Sequence, residues 1–317
     1  MKAALLTEPF RIELVDQDPA PLDPRQARLR VDQCGICTSE LDLWSGKAVE
    51  QLPATIGHEV AGVVDEIGSE VSTLRVGDRV AAWVEGGGFA EAAVVEERFC
   101  IPVAAGVTYA AVAEPLACIV NSVELAAPAL ADDVVIIGAG YMGNLLQLVS
   151  ALKGPRTVTV ADIRPDALAR ARELGATRVV DTASESLADA VREVTDGRGA
   201  DVTYEVTGTA PGLALAGEVT RMSGKLCIVG YHQGGERSIP LATWNWMAFE
   251  LVNAHFRDID TIMRGMRAGM RLVNAGVLDV APLVTDTFGL GEIEAAFQRA
   301  TAKPDGFVKA VIEPAVQ

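Results

Sequence analysis

The chain has 317 residues, half of them hydrophobic, and sets 27 Lys and Arg against 43 Asp and Glu for a formal net charge of −16. A surface that acidic repels phosphate backbones, which argues against nucleic acid as a partner. The apolar share suffices for sizeable cores, and thirty glycines with few aromatics fit an α/β enzyme better than a disordered or fibrous chain.

Five cysteines sit at 34, 37, 100, 118 and 227, an odd number in a large chain whose first residues show no long apolar signal segment. Disulfides are therefore not expected, and the setting is read as cytoplasmic.

Up to about residue 110 the chain is rich in Val, Gly and turn residues. Short runs such as 61–67 and 78–84 have the texture of strands in an irregular, mostly β domain. Three segments here carry metal-ligand residue types: Cys34-Gly35-Ile36-Cys37, Gly57-His58-Glu59 and Glu114-Pro115-Leu116. Cys37, His58 and a carboxylate would supply the three protein ligands of a catalytic zinc and leave a position open. Spacing alone is equally compatible with a buried thiol acting as a small hydrophobe, a hydrogen-bonded histidine and surface carboxylates. No second C-x-x-C follows to complete a four-thiolate site.

From about residue 130 strands alternate with helices. Expected strands are 134–137, 157–161, 178–180, 202–206, 226–229 and 251–253, with helices over 165–174 and 187–195 among them. The alternation predicts a parallel, doubly wound sheet, and six strands make two mononucleotide-binding halves. The uncharged run 134–152 has the length of a membrane span. Its glycines, Asn144 and Gln147 divide it into a buried strand and a buried helix, so no membrane partner is expected.

The division falls at Gly138-Ala139-Gly140-Tyr141-Met142-Gly143. Gly138 allows the tight turn, Gly140 lets a pyrophosphate approach the backbone, and Gly143 permits close helix–strand packing. The helix that opens at Tyr141 and Met142 offers unpaired N–H groups to phosphates. Asp162, 19 residues past Gly143, is placed to accept from ribose hydroxyls, which favours NAD. Arg164 would suit an extra phosphate and keeps NADP open. Beyond about residue 258 come a helical stretch, a short run at 283–285, a helix over 292–301 and a strand-like tail at 307–312. The tail has no place in a completed six-stranded sheet and is expected to return to the first domain.

Taken together, the Cys34–Cys37 segment, Ile56-Gly57-His58-Glu59-Val60-Ala61-Gly62, Val76-Gly77-Asp78-Arg79-Val80, Gly87-Gly88-Phe89-Ala90-Glu91, Glu114-Pro115-Leu116-Ala117, the glycine fingerprint and Glu173-Leu174-Gly175-Ala176 resemble the zinc-dependent medium-chain dehydrogenases/reductases of the alcohol and polyol type. The order and spacing match along nearly the whole chain. The resemblance implies an α/β protein with a GroES-like, mostly β catalytic domain (1–120 and 258–317) and a Rossmann domain (121–257) holding a doubly wound, six-stranded parallel sheet.

It further implies Cys37 and His58 as zinc ligands, Glu114 in the third ligand place, and Glu59 as an adjacent carboxylate able to bind the metal. Glu40 would orient a ligand, Cys34 would belong to the core, Cys118 would lie near the nicotinamide, and Ser39 would relay the proton. Asp42 stands where relatives often carry a histidine, which leaves the proton path open. Trp83-Val84-Glu85 runs directly into Gly86-Gly87-Gly88-Phe89, without the four cysteines of the structural-zinc lobe. One catalytic Zn2+ and no structural zinc are therefore expected.

The implied reaction is hydride transfer between NAD(H) and a secondary alcohol or ketone, with a polyol, cyclitol or sugar-like substrate and a homodimeric or homotetrameric enzyme. Two other readings compete. One is a zinc-independent quinone or enone reductase of the same superfamily, which would lack the Cys and His ligands. The other is a non-catalytic dinucleotide-binding protein.

Overall fold

A computed structural model describes residues 1–48 and 51–315. The chain divides into two compact units, Met1–Ala117 with Met266–Gln317, and Cys118–Gly265.

The first unit is mostly β. Its strands are β1 (Lys2–Glu8), β2 (Arg11–Asp16), β3 (Gln26–Gly35), β4 (Ala54–Thr55), β5 (Glu59–Ile67), β6 (Arg79–Trp83), β7 (Ala92–Glu96) and β8 (Cys100–Pro102), with β15 (Asp286–Gly289) and β16 (Ala310–Glu313) from the end of the chain. β2, β1 and β4 form a small sheet. The larger one runs β15-β16-β3-β5-β6-β8, with β7 also paired to β3. β3 alternates buried and more exposed positions along much of its length, as a strand with one face on a core must. Leu29, Val31, Cys34, Val60, Val64, Val80 and Phe89 fill that core with Phe297 of the helix Ile293–Ala302.

The tail strand joins this sheet, antiparallel to β3 with Val311 opposite Gly35 and Ile312 opposite Cys34. It begins three residues later than the sequence pattern suggests. Pro304 and Gly306 shape a turn that Phe307 closes by donating its N–H to the Pro304 carbonyl.

The second unit carries β9 (Asp133–Ile137), β10 (Thr157–Asp162), β11 (Arg178–Asp181), β12 (Ala200–Glu205), β13 (Thr220–Ile228) and β14 (Glu250–Asn253). All neighbours are parallel, in the order β11-β10-β9-β12-β13-β14. This is the doubly wound order whose direction reverses between β9 and β12, where dinucleotides bind outside the carboxyl ends of the strands. β9 and β12 are buried at every position, as central strands covered on both faces must be.

The run 134–152 resolves into most of β9 and the helix Tyr141–Ala151. Among the described residues no helix is long and apolar enough to cross a membrane. β13 starts six residues earlier than expected. The register against β12 shifts between Ala200 and Val202, and Ser223 takes a positive φ of 56°. Such a bulge breaks the periodicity by which strands are recognised.

Candidate active site

In the first unit, the β3–β5 pairing brings the metal-type residues together. Gly35 at the end of β3 lies opposite Glu59 at the start of β5. Cys37 follows as the residue before the helix Thr38–Trp44, and its N–H donates to Glu40 Oε2 at 2.9 Å. The other oxygen of Glu40, a residue 4% exposed, lies 3.1 Å from His58 Nδ1. Ligand atoms of Cys37, His58 and Glu59 all lie within 4.8 Å of one another, the one such group among the described residues.

Glu114, in the first turn of the helix Ala113–Ala126, stands outside that group but within its field. Burial pushes its carboxyl up and His58 pulls it down, while the Glu59 charge adds to the rise, leaving it at about 7.

The cluster is rich in negative charge and asks for a cation. Burial disfavours the protonated His58 ring, yet Glu40 and Cys37 outweigh it and raise its pKa to about 12. A proton is held where a metal ion would take its place. The donor set of one thiolate, one imidazole and carboxylates suits zinc.

One further group completes the cluster. Lys309, 4% exposed, places Nζ 2.7 Å from the Glu59 carboxylate and 2.8 Å from the Ile36 carbonyl. Burial opposes its charged form, but Glu59, Cys37 and Glu40 together more than offset this and its pKa lies above the ordinary lysine value. Sequence reasoning missed Lys309. The signal was present: a lysine inside the apolar run Phe307-Val308-Lys309-Ala310-Val311-Ile312 must be buried and therefore paired.

Ser39 is exposed on the helix that Cys37 precedes. Asp42, one turn on, lies 3.9 Å from Lys47. Cys34 is fully buried in the core.

In the second unit the glycine loop leaves the end of β9. Gly138 has a φ of 108°, a conformation side chains rarely allow. A Cβ at Gly143 would strike the Gly138 carbonyl, whereas one at Gly140 would meet nothing within 4 Å. Gly140 precedes the helix Tyr141–Ala151, and no side chain caps its N-terminus. Tyr141 and Met142, both half-buried, form the first turn of that helix. Open space over Gly140 and uncapped N–H groups make a cradle for phosphates.

Asp162, at the end of β10, accepts from Ala139 N–H at 2.7 Å, Ile163 N–H at 2.8 Å and Arg164 N–H at 2.9 Å. The carboxylate expected to meet ribose hydroxyls thus also ties the glycine loop to the start of the next helix. Arg164 lies 3.8 Å from Asp166. Cys118 is half-buried on the helix Ala113–Ala126.

His232, which follows β13, is engaged within its own unit. Its Nε2 lies 2.8 Å from Glu205 Oε2, and Arg237 Nε donates to its Nδ1 at 3.2 Å. An arginine can only donate, so Nδ1 accepts and Nε2–H serves the fully buried Glu205. Both ring nitrogens are thus engaged by the loop and by Glu205.

Residues 23–105 match the alcohol dehydrogenase GroES-like domain, and residues 134–275 match the zinc-binding dehydrogenase family. The chain belongs to the zinc-type medium-chain alcohol and polyol dehydrogenases. An L-threonine 3-dehydrogenase of Rhizobium johnstonii is 27% identical to it over 97% of both chains. The sorbitol dehydrogenase of Bacillus subtilis is 26% identical, covering 99% of this chain and 97% of its own. A zinc-binding dehydrogenase from Sinorhizobium meliloti, solved with NADP bound, superposes with a TM-score of 0.89 at 23% identity over 99% of each chain.

Proposed function

We propose that this dehydrogenase uses one zinc ion to interconvert a secondary alcohol and its ketone with NAD(H). The observation that carries the reading is the convergence of Cys37, His58 and Glu59 within 4.8 Å in the first unit. Those three residues would hold the metal, with Glu114 as a fourth carboxylate in their field. No structural zinc is part of this reading, because the four cysteines that would bind one are missing from the chain.

When bound, zinc supplies Lewis acidity at the substrate oxygen and NAD supplies the hydride acceptor. Glu40 fixes the His58 ring and leaves Nε2 for coordination. Lys309 offsets the charge of Glu59. Ser39, exposed two residues beyond Cys37, passes the substrate hydroxyl proton towards solvent. In the second unit Gly138, Gly140, Tyr141, Met142 and Gly143 cradle the pyrophosphate. Asp162 favours a ribose with a free 2′-hydroxyl over one bearing phosphate, and Arg164 works in the other direction. Cys118 is assigned to the nicotinamide end on the family resemblance.

The carboxylate-bearing metal cluster and the sorbitol dehydrogenase relative support a polyol, cyclitol or sugar-like substrate. Assembly as a homodimer or homotetramer is part of the same reading. The edge strand β14 has a hydrogen-bonded neighbour on one side only, with Leu251 48% and Trp246 79% exposed nearby. The five free thiols fit a reducing, cytoplasmic setting.

The test is metal analysis of the purified chain, combined with NAD+ and NADP+ reduction on a panel of polyols and simple alcohols. One zinc per chain, NADH formation from polyols and loss of turnover on chelation are expected. Full activity in metal-free protein would return the chain to the zinc-independent reductase reading. Cofactor binding without turnover on any alcohol would favour the non-catalytic one.

A further inference from the structure

The carboxyl ends of β9 and β12 flank the point where the strand order of the second unit reverses. The glycine loop and Asp162 lie on the β9–β10 side. On the other side two loops leave the sheet, residues 206–209 after β12 and residues 229–240 after β13. One carboxylate serves both. Glu205, the last residue of β12 and fully buried, accepts from the Thr207 hydroxyl, from Thr207 N–H at 2.7 Å and from Gly208 N–H at 3.0 Å, and its Oε2 meets His232 Nε2 at 2.8 Å. A carboxylate has about four lone-pair sites, and these four donors match them.

The two loops approach backbone to backbone. A Cβ at Gly208 would stand 2.6 Å from the Tyr231 carbonyl, and one at Gly230 would collide with the Gly208 nitrogen. Beyond His232 the chain turns back through Gly234 and Gly235, both at positive φ, and brings Arg237 to the ring. Arg237 Nε donates to His232 Nδ1 at 3.2 Å, and its other nitrogens donate to the carbonyls of Gln233 at 2.6 Å, Gly235 at 3.2 Å and Glu236 at 3.3 Å. The loop is thus wound on one guanidinium, and the His232 ring links that guanidinium to the buried carboxylate. Residues 233–236 themselves are exposed.

We propose that His232 is a positioning residue for the nicotinamide half of the cofactor site, clasping the loop 231–237 onto Glu205 so that this half of the dinucleotide meets a fixed wall. This rests on the dinucleotide reading given above and not on the metal. Without the ring, one lone pair of a fully buried carboxylate goes unmatched and the loop loses its tie to the sheet. Binding would then have to order the loop, at a cost in affinity. The adenosine half, served by Gly138, Gly140, Gly143 and Asp162, does not draw on the clasp.

The experiment measures NADH and ADP affinities of the full chain by calorimetry, well below the melting temperature of each variant. ADP carries the adenosine and the two phosphates but no nicotinamide half. His232→Leu is expected to weaken NADH about tenfold, the scale of one hydrogen bond to a carboxylate, and to leave ADP affinity unchanged. His232→Gln, whose amide has a donor for Glu205 and an acceptor for Arg237, is expected to recover most of the loss. Arg237→Met unwinds the loop from its outer side and should give the same selective loss. It carries the test should His232→Leu not fold.

Equal weakening of NADH and ADP, or unchanged NADH affinity in folded His232→Leu or Arg237→Met, overturns the proposal and leaves the dinucleotide reading standing. A folded wild-type chain that binds neither NADH nor ADP overturns both.

Discussion

Glu40 Oε1 lies 3.1 Å from His58 Nδ1, while Glu40 Oε2 receives the Cys37 N–H at 2.9 Å. One buried carboxylate thus fixes both the ring and the backbone of two metal-type residues. Partners of this kind set the tautomer and orientation of a ligating histidine, and losing one costs about 10–100-fold in metal affinity or activity. Glu40→Gln keeps the shape but loses the charge, so zinc affinity by chelator competition is expected to fall by about that factor. Unchanged affinity in a folded variant would remove Glu40 from the site.

The glycine loop gives a contrast between two neighbouring substitutions. A methyl at Gly143 would overlap the Gly138 carbonyl, whereas one at Gly140 enters open space. Gly143→Ala is therefore expected to lower the melting temperature, with a cost of about 1–3 kcal/mol typical of overpacking. Gly140→Ala, at an ordinary φ of −72°, should leave the melting temperature in place and weaken NADH binding alone. Calorimetry with and without NADH separates the two. Equal melting temperatures for both variants would contradict the packing argument.

These contrasts show what was legible in the chain and what was not. The doubly wound sheet could be read because β9 and β12 are continuous buried runs, and the fingerprint glycines follow the first directly. Cys37 and His58 stood out as candidates by residue type, with only three histidines in the chain, but only the family resemblance gave them ligand places. Lys309 could not be paired from sequence. Its partner is 250 residues away, and only the β16–β3–β5 register brings the two together. The longer β13 escaped because its bulge interrupts the strand pattern. The embrace of Asp162 by three N–H groups depends on how the loop closes, which no spacing rule contains.

That embrace changes the outcome expected at Asp162. If the carboxylate served only the cofactor ribose, removing it would exchange NAD for NADP preference without affecting the free protein. Because it accepts from Ala139, Ile163 and Arg164, Asp162→Ala is expected to destabilise the unliganded chain as well. Hydrogen bonds to a charged group contribute about 1.5–3 kcal/mol each, an upper guide at a half-exposed site. Affinity for both NADH and NADPH should fall, since the loop itself loosens. A variant with unaltered stability that simply prefers NADPH would confine Asp162 to the ribose.

At the opposite, amino-terminal ends of the strands a polar cluster surrounds Asp201. Asp201 accepts the Asp133 N–H at 2.8 Å and pairs with Arg221 at 2.5 Å, while Asp133 is held by Arg156 and Arg198, each at 2.7 Å. Burial alone would raise the Asp201 carboxyl, but the Asp133 N–H and the Arg221 guanidinium reverse this and hold it below the ordinary 3.8. A carboxyl depressed by folding contributes stability above its unfolded pKa, and that contribution is lost as pH falls through the folded value. Asp201→Asn should therefore be less stable than the parent near neutrality, with the gap closing below about pH 4. Urea unfolding across that range reads the gap directly. A constant difference at every pH would mean that Asp201 acts through its shape and hydrogen bonds and not through its charge.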